Sequence, residues 1–278
     1  KGNNNEAIKN YEKAVELKTE SPEVFSSLGF LYREKGNFTK SISYYQSSLD
    51  KKSSKSEIYY FIGLNYLDLN DNDKAISSFE KYLKLPNLKA DTKLSAENNL
   101  GSLYFKKKDY TNSLKYYLLV SKSNSDDPKL LENIGAIYKL KNDNDNAIKY
   151  MLSSLAVNKD NSSKLRTYLF LGDLYGLKNN HLESAKYYEK AGEAKQDEYA
   201  YFLNAGLAYK KANAVDPAVK NLNKALELNP KSSDAMITLF NLYKDKNEFD
   251  KAESVLQKLS DLDPSNADVF FNLGNLNR

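Results

Sequence analysis

The chain has 278 residues, of which 41% are hydrophobic and 28% charged, with no cysteine and a single histidine. The missing thiols exclude disulfide bonds, cysteine-based zinc sites and a thiol nucleophile, and one imidazole leaves no histidine pair for a metal. A formal net charge of +4, with 41 basic and 37 acidic side chains intermixed, is a weaker basic bias than nucleic-acid binding usually requires.

The N-terminal residues predict the second helix of a repeat, with Ala7, Tyr11 and Ala14 at the repeat phase. No run approaches the roughly 18 apolar residues of a membrane span, so we expect no membrane insertion. Lys1 is not an initiator methionine and no basic-then-apolar leader follows it, so we expect the start of a longer protein to be missing. A cytoplasmic location is favoured, and a periplasmic or envelope-associated one stays open.

One glycine recurs along the chain at intervals of 34, 38, 34, 37 and 34 residues and then twice 34, where Phe240 replaces one glycine. A tyrosine follows three residues after each of these positions except the last, which has Asn277 there. A fixed period in this range indicates one supersecondary unit copied along a solenoid. The glycines are Gly29, Gly63, Gly101, Gly135, Gly172, Gly206 and Gly274.

Each repeat predicts two amphipathic helices. With the recurring glycine as position 8, positions 4, 7, 8 and 11 share one helix face, and Glu97 is the polar exception at position 4. A glycine inside a helix costs about 1 kcal/mol relative to alanine, so we expect the two helices to approach closely there. The tyrosine at position 11 is expected to fill the space between helices, with its hydroxyl at the rim. Position 24 of each repeat, which lies in the second helix, carries a large side chain, as Tyr45, Phe79, Tyr117, Met151, Tyr188, Leu222 and Leu256.

This pattern resembles the tetratricopeptide repeat (TPR) family, whose 34-residue unit carries a Leu-Gly pair, a tyrosine three residues later, then alanine, an aromatic residue and proline. Leu28-Gly29 with Tyr32 matches the first part, and Pro230 and Pro264 match the last. The resemblance implies an all-α helix–turn–helix solenoid, a right-handed superhelix with a concave groove. It predicts a partial repeat at 1–21, seven units at 22–55, 56–93, 94–127, 128–164, 165–198, 199–232 and 233–266, and a truncated first helix at 267–278.

Two insertions and one substitution interrupt the pattern. Four extra residues lie around 85–91 and three around 158–163, and we expect both to lengthen a second helix or its loop. Phe240 in place of glycine predicts either wider helix spacing or an outward-turned ring. His181 at position 17 is expected to pack between helices, because other repeats carry an aromatic or valine side chain there.

In the TPR family the first helices line the concave side, and positions 2, 5, 9, 12 and 13 tend to point into the groove. The resemblance therefore implies partner-binding residues at these positions, although position 9 has the alternative of packing against the next repeat. Large apolar side chains there indicate anchor sites for a peptide or helix. Repeats 1 to 3 offer Phe30, Tyr60, Leu64, Leu67 and Phe105, with Arg33 and Asn98. A second cluster contains Leu169, Leu203 and Leu207, flanked by Lys210.

Two modes of peptide binding known in the family require particular residues at positions 5 and 6, and these can be compared with the residues of this chain. The carboxylate clamp of co-chaperones needs lysine at position 5, where this chain has Ser26, Tyr60 and Asn98 in its first three repeats, so the clamp is not expected. An asparagine ladder at position 6 holds extended peptide backbone in long superhelical members. Here the ladder is broken, with Asn99, Asn133, Asn204 and Asn272 at position 6 and other residues between them.

These patterns predict a protein–protein interaction scaffold that binds a peptide or helical segment of partner proteins in the concave groove, in the assembly of a larger complex. No cofactor, metal or catalytic residue is expected, because the glycines do not form a phosphate loop and no nucleophile and base are assembled. One alternative is the substrate-recruiting arm of an enzyme whose catalytic domain lies outside this segment, as in the O-GlcNAc transferases. Another is a structural component of an envelope, secretion or motility complex.

Overall fold

The computed structural model describes residues 3–160 and 162–276, and these residues form α-helices, one short 3-10 helix and no strand. The described part of the chain is therefore all-α, as the sequence predicts. The predictions that fall on residues 1, 2, 161, 277 and 278, including Asn277, lie outside the described residues. The helices are α1 (Asn4–Glu16), α2 (Pro22–Glu34), α3 (Phe38–Asp50), α4 (Glu57–Asp68), α5 (Asn72–Leu83), α6 (Ala90–Lys106), α7 (Tyr110–Ser123), α8 (Pro128–Leu140), α9 (Asn144–Val157), α10 (Leu165–Leu177), α11 (His181–Ala194), α12 (Tyr199–Lys211), α13 (Val215–Leu228), α14 (Ser233–Asp245), α15 (Phe249–Leu262) and α16 (Ala267–Leu276).

The helices form two compact units, 1–125 with α1 to α7 and 126–278 with α8 to α16. Within each unit every helix packs against the next one in the chain, and the pairs α2 with α3 and α12 with α13, each inside one repeat, make the most extensive contacts. The even-numbered helices are the first helices of the repeats, and the odd-numbered ones are the second. The unit boundaries drawn from the sequence stay a prediction.

The turn between the two helices of a repeat has the same construction each time. The first helix ends two residues before a left-handed residue, which is Gly36 in repeat 1 with φ 74° and Asn70 in repeat 2 with φ 59°. Glycine and asparagine tolerate this conformation at a helix C-terminus better than other residues do. In repeats 1 to 5 the side chain of the next residue caps the second helix, as when the Asp71 carboxylate accepts a hydrogen bond from the Lys74 backbone N–H at 3.2 Å.

The glycine at position 8 allows a ring of the second helix to lie directly on the backbone of the first. In unit 1, a Cβ atom added to Gly29 would lie 2.7 Å from Tyr45, and one added to Gly101 would lie 2.6 Å from Tyr117. Real Cβ atoms do not approach carbon this closely, so only glycine fits without a shift of the ring. The prediction that the recurring glycines serve close helix approach is confirmed for all of them except Gly274, where an added Cβ atom would have no atom within 4 Å.

Phe240, which replaces the glycine in repeat 7, has its ring inside the core. It is 6% exposed and lies in a cluster with Leu239, Leu242 and Leu256. The predicted alternative of an outward-turned ring is therefore wrong. Burying a phenylalanine side chain stabilises the fold by about 2 kcal/mol relative to exposing it, which explains why the ring turns inward.

The tyrosines at position 11 pack between helices as expected, and in some repeats, such as those of Tyr32, Tyr104 and Tyr209, the hydroxyl also bonds to the preceding repeat. The Tyr104 ring stacks on Tyr116 with centroids 5.8 Å apart, and its hydroxyl donates to the Glu80 carboxylate of the preceding repeat at 2.6 Å. Tyr32 makes the equivalent bond to Glu12 at 2.5 Å, which raises the pKa of Tyr32 to about 12. These bonds bridge position 25 of one repeat and position 11 of the next.

Both insertions precede a first helix and neither lengthens a second helix; the one at 158–163 lies in the loop after α9, which was the other predicted alternative, whereas the one at 85–91 does neither. The second helix α5 ends at Leu83, and Pro86 follows close behind, where it cannot continue a helix. The four extra residues instead extend α6 at its N-terminus, to 17 residues against 13 in α2. The other insertion forms the 3-10 helix Ser162–Lys164 directly before α10.

Each unit buries one carboxylic acid among the first helices. Glu97 is 7% exposed in α6, where burial raises the pKa of its carboxyl and the Lys93 ammonium lies 3.9 Å away. Glu132 is 8% exposed in α8 and accepts a hydrogen bond from the Thr167 hydroxyl of α10. A buried acid with a hydroxyl donor is compensated better than one without.

Candidate functional site

The first helices of unit 1 line an open groove of about 800 Å³. Residues of α2 and α4 form most of its surface, and the N-terminal end of α6 and two residues of α1 complete it. Its floor is apolar, because Leu31 and Ile58 are almost fully buried there and the Tyr45 ring lies below them. We call this concavity the unit 1 groove.

Two aromatic side chains expose apolar surface along the unit 1 groove. Phe30 of α2 is 48% exposed although its ring is one of the largest apolar groups of the chain. Tyr60 of α4 is half-buried, because its ring contacts those of Phe61, Phe79 and Tyr82 at centroid distances of 5.7, 5.8 and 5.7 Å. Tyr60 is thus held by its neighbours, while Phe30 is free to contact a ligand.

The rim of the unit 1 groove carries three charged side chains. The Lys89 ammonium and the Glu57 carboxylate form an ion pair at 2.7 Å, and this bond lowers the pKa of Glu57 and raises that of Lys89. The Lys55 ammonium donates a weak hydrogen bond to the Ser26 hydroxyl at 3.4 Å. Among the described residues, Lys55 has no carboxylate at ion-pair distance.

The hydroxyl of Tyr45 is buried below the unit 1 groove without a hydrogen-bond partner among residues 3–160 and 162–276. Its burial raises the pKa of Tyr45, so the phenol stays protonated. A buried hydroxyl without a partner costs about 1–3 kcal/mol relative to a paired one.

The other predicted residues of unit 1 lie outside the unit 1 groove. Leu64 and Leu67 are half-buried and pack against the core between α5 and α6, so they serve the fold at least in part. Arg33 donates to the Asn65 side chain at 2.6 Å and pairs with the Asp68 carboxylate at 2.8 Å, so its guanidinium is already engaged. The remaining three are the exposed Asn98, the half-buried Asn99 and Phe105, which is 39% exposed.

In unit 2 the predicted residues do not line a described groove. Leu203 packs against the core of that unit, and its neighbours in the predicted cluster are half-buried or exposed. The grooves described in unit 2 measure about 270–400 Å³ and are lined by other residues. The second binding cluster therefore stays a prediction. Leu169, Leu203, Leu207 and Lys210 of this cluster are half-buried, and of the position 6 asparagines in unit 2 Asn133 is half-buried and Asn204 is exposed.

Sequence reasoning missed the polar rim of the unit 1 groove. Lys55 and Lys89 end their repeats, and Thr92 belongs to the inserted turn of α6, so none occupies a groove position of the repeat. The insertion itself was the available signal, because extra residues directly before a first helix extend the surface that the first helices form. Phe30 and Tyr60 are the two predicted residues that the groove brings together.

Two further searches cover the described part of the chain. They find no group of three or more histidine and acidic side chains placed to hold a metal ion. They also find no helix with the length and apolar character that crossing a membrane requires.

Models of the tetratricopeptide repeat match most of the chain. One such model matches residues 56–87, 96–127 and 165–198, a second matches 130–165 and a third matches 209–270. A model described as TPR repeat matches residues 1–33. A search of curated proteins gave no match.

Solved TPR structures superpose on the chain at low sequence identity, which concerns the fold alone. The C-terminal part of a TPR repeat-containing protein from Cytophaga hutchinsonii gives a TM-score of 0.58 at 19% identity, over 88% of this chain and 98% of the other. The structure of Naa15/Naa10 bound to HypK-THB gives 0.64 at 14% identity, over 94% of this chain and 40% of the other. The MamA protein gives 0.52 at 24% identity, over 64% and 93%.

Proposed function

The chain belongs to the tetratricopeptide repeat family, and from this premise we propose that it holds a peptide or helical segment of a partner protein in the unit 1 groove. The family fold is typically a non-catalytic scaffold whose extended surfaces bind other proteins. In this role the chain brings its partner into a larger complex. The groove supplies the contact surface, and the helices behind it supply rigidity.

The observation that carries the proposal is the exposed Phe30 ring beside a concave apolar floor. Phenylalanine is normally buried in a monomeric protein, and aromatic side chains at the edge of a concavity are typical anchors in protein interfaces. Leu31 and Ile58 below it leave no polar floor that water would prefer. A partner side chain placed there removes apolar surface of both molecules from water.

The proposal is tested by selecting random short peptides against the whole chain and measuring their affinity by fluorescence anisotropy. We expect the Phe30→Ala variant to bind the selected peptides about tenfold more weakly, which corresponds to about 1.4 kcal/mol. Phe249→Ala is the matched control, because Phe249 is 49% exposed but lies in unit 2, away from the groove. Circular dichroism of both variants checks that the helices remain.

Equal loss of affinity in Phe30→Ala and Phe249→Ala would overturn the assignment to the unit 1 groove. Loss in a Leu207→Ala variant with Phe30→Ala unaffected would move the site to the predicted cluster of unit 2. Recovery of no binding peptide in repeated selections would contradict the proposed function as a whole.

A further inference from the structure

We propose that the unit 1 groove selects acidic partner segments, with a partner carboxylate paired to Lys55 while a bulky apolar side chain of the same segment lies against Phe30 and Tyr60. This inference rests on the proposed function and names the chemistry of its partner. It is argued from the charges of the rim, from the surroundings of Lys55 and from the apolar wall.

The charges of the rim do not cancel. Of the three charged side chains that line the unit 1 groove, Glu57 and Lys89 neutralise each other in an ion pair at 2.7 Å. Lys55 is left as the one lining cation without a carboxylate partner in the described part of the chain. The unit 1 groove therefore presents one net positive charge next to an apolar floor, and the complementary ligand is anionic at one point and apolar at another.

The acids and bases near Lys55 are engaged elsewhere. The Glu23 carboxylate accepts a hydrogen bond from the Ser21 hydroxyl at 2.6 Å, and the charge of Lys55 helps to lower the pKa of Glu23 without forming an ion pair with it. Lys51, in the same turn, pairs with Glu20. The weak bond from Lys55 to the Ser26 hydroxyl orients the ammonium along α2 without neutralising it.

The carboxylate and the apolar anchor fit one segment. Lys55, Phe30 and Tyr60 line the same concavity of about 800 Å³, so a few consecutive residues of a partner reach all three. A basic segment would meet repulsion from Lys55 and would find Glu57 already paired. A nucleic acid is disfavoured for a different reason, because a single unpaired cation cannot neutralise the several phosphates that such binding requires.

The experiment uses the peptides selected against the whole chain. We expect them to be enriched in Asp or Glu next to one aromatic or large aliphatic residue. A selected peptide should bind Lys55→Ala about fivefold more weakly than the unchanged chain, which is the size expected for one partly exposed ion pair. Lys55→Arg should keep most of the affinity, because it keeps the charge.

The control is Lys52→Ala, which removes the same charge from an exposed lysine three residues away that does not line the unit 1 groove. Its affinity should change by less than twofold, roughly the scatter for a screened surface charge. Replacing the acidic residues of the peptide by their amides should weaken binding to the unchanged chain about fivefold and leave binding to Lys55→Ala nearly unchanged, since the two changes remove the same ion pair.

Three results would overturn the inference. The first is a selection enriched in basic or uncharged peptides. The second is an equal loss of affinity in Lys55→Ala and Lys52→Ala. The third is that replacing the peptide's acidic residues by amides lowers its affinity equally for the unchanged chain and for Lys55→Ala. If Phe30→Ala still weakens binding in those cases, the proposed function survives and the acidic preference alone is wrong. If no peptide is recovered, both are wrong.

Discussion

The two units follow the same repeat but fill the space above the position 8 glycine differently. In unit 1 an aromatic ring occupies it in each complete repeat, whereas unit 2 uses Met151 and Leu222 in two of its repeats. The period therefore determines where the small residue stands, and the side chain opposite it determines how rigid the contact is. A ring has few ways to move aside, whereas an unbranched methionine has several.

The sharpest test of this difference compares Gly101→Ala in unit 1 with Gly135→Ala in unit 2. The added methyl group would lie 2.6 Å from the Tyr117 ring in the first case, and 3.0 Å from the terminal methyl of Met151 in the second. Overpacking against a ring costs about 1–3 kcal/mol, and alanine recovers up to about 1 kcal/mol of helix propensity. We expect Gly101→Ala to lower the free energy of unfolding by about 2 kcal/mol.

Gly135→Ala should change the free energy of unfolding by less than about 1 kcal/mol, because Met151 can adjust while alanine favours the helix. Urea unfolding followed by circular dichroism measures both variants. Equal destabilisation of the two variants would show that the Tyr117 ring and Met151 resist displacement equally. The claimed difference in rigidity between the two contacts would then be wrong.

A second difference concerns the bonds between successive repeats. The Tyr104 hydroxyl of unit 1 donates to Glu80 at 2.6 Å and the Tyr209 hydroxyl of unit 2 donates to Glu189 at 2.7 Å, whereas the residue at position 25 before Tyr175, also in unit 2, is Leu152. We expect Tyr104→Phe to lower the free energy of unfolding by about 1 kcal/mol, a typical value for a partly exposed hydrogen bond to a charged group. Tyr175→Phe should be nearly neutral, and the urea midpoints of the two variants provide the measurement. A loss of equal size in Tyr175→Phe would contradict the assignment.

A third and smaller difference lies in the two buried acids, because Glu132 has the Thr167 hydroxyl and Glu97 has no such donor. Burial raises the folded-state pKa of Glu97 above its ordinary value of 4.5, so the folded chain binds this proton more tightly than the unfolded chain. Stability is therefore lost as the pH rises from below 4.5 through the folded-state pKa.

We expect Glu97→Gln to raise the free energy of unfolding at neutral pH by up to about 1 kcal/mol, because an amide is cheaper to bury than a carboxylate. The gain should disappear as the pH falls below 4.5, where glutamate is itself neutral. Urea titrations across this pH range provide the measurement, and Glu34→Gln at the exposed end of α2 controls for net charge. A gain that persists at low pH would exclude the ionised carboxylate as its cause.

The glycine register was sufficient to predict the helices and the contacts between them. It succeeded because a glycine inside a helix indicates that another group packs directly on the helix backbone. At Gly29 that group is the Tyr45 ring. Phe240 shows where this reasoning ends. Its size was evident from the sequence, but the space available to its ring depends on the neighbouring helices, and these turned out to enclose it.

The groove was less predictable than the core. Phe30 and Tyr60 lie at helix positions that face it, whereas Arg33 occupies a similar position and turns to Asp68 and Asn65 instead. A sequence pattern predicts which face of a helix a residue lies on. The conformation of a long charged side chain on that face depends on the ion-pair and hydrogen-bond partners that the folded structure places near it. Lys55 differs from Arg33 in that it lies in a connecting turn, outside the helix positions expected to face the groove, and yet it lines the unit 1 groove.

The inserted turn at the start of α6 contributes to the surface of the unit 1 groove but takes no part in the glycine contacts of the core. Its residues Ala90–Lys93 lengthen that helix by about 6 Å, at 1.5 Å per residue, and Thr92 within it reaches the unit 1 groove. Removing these four residues would restore the regular 34-residue interval and leave every glycine contact in place. The surface of the unit 1 groove can therefore change by one helical turn without any change in the residues that make the glycine contacts.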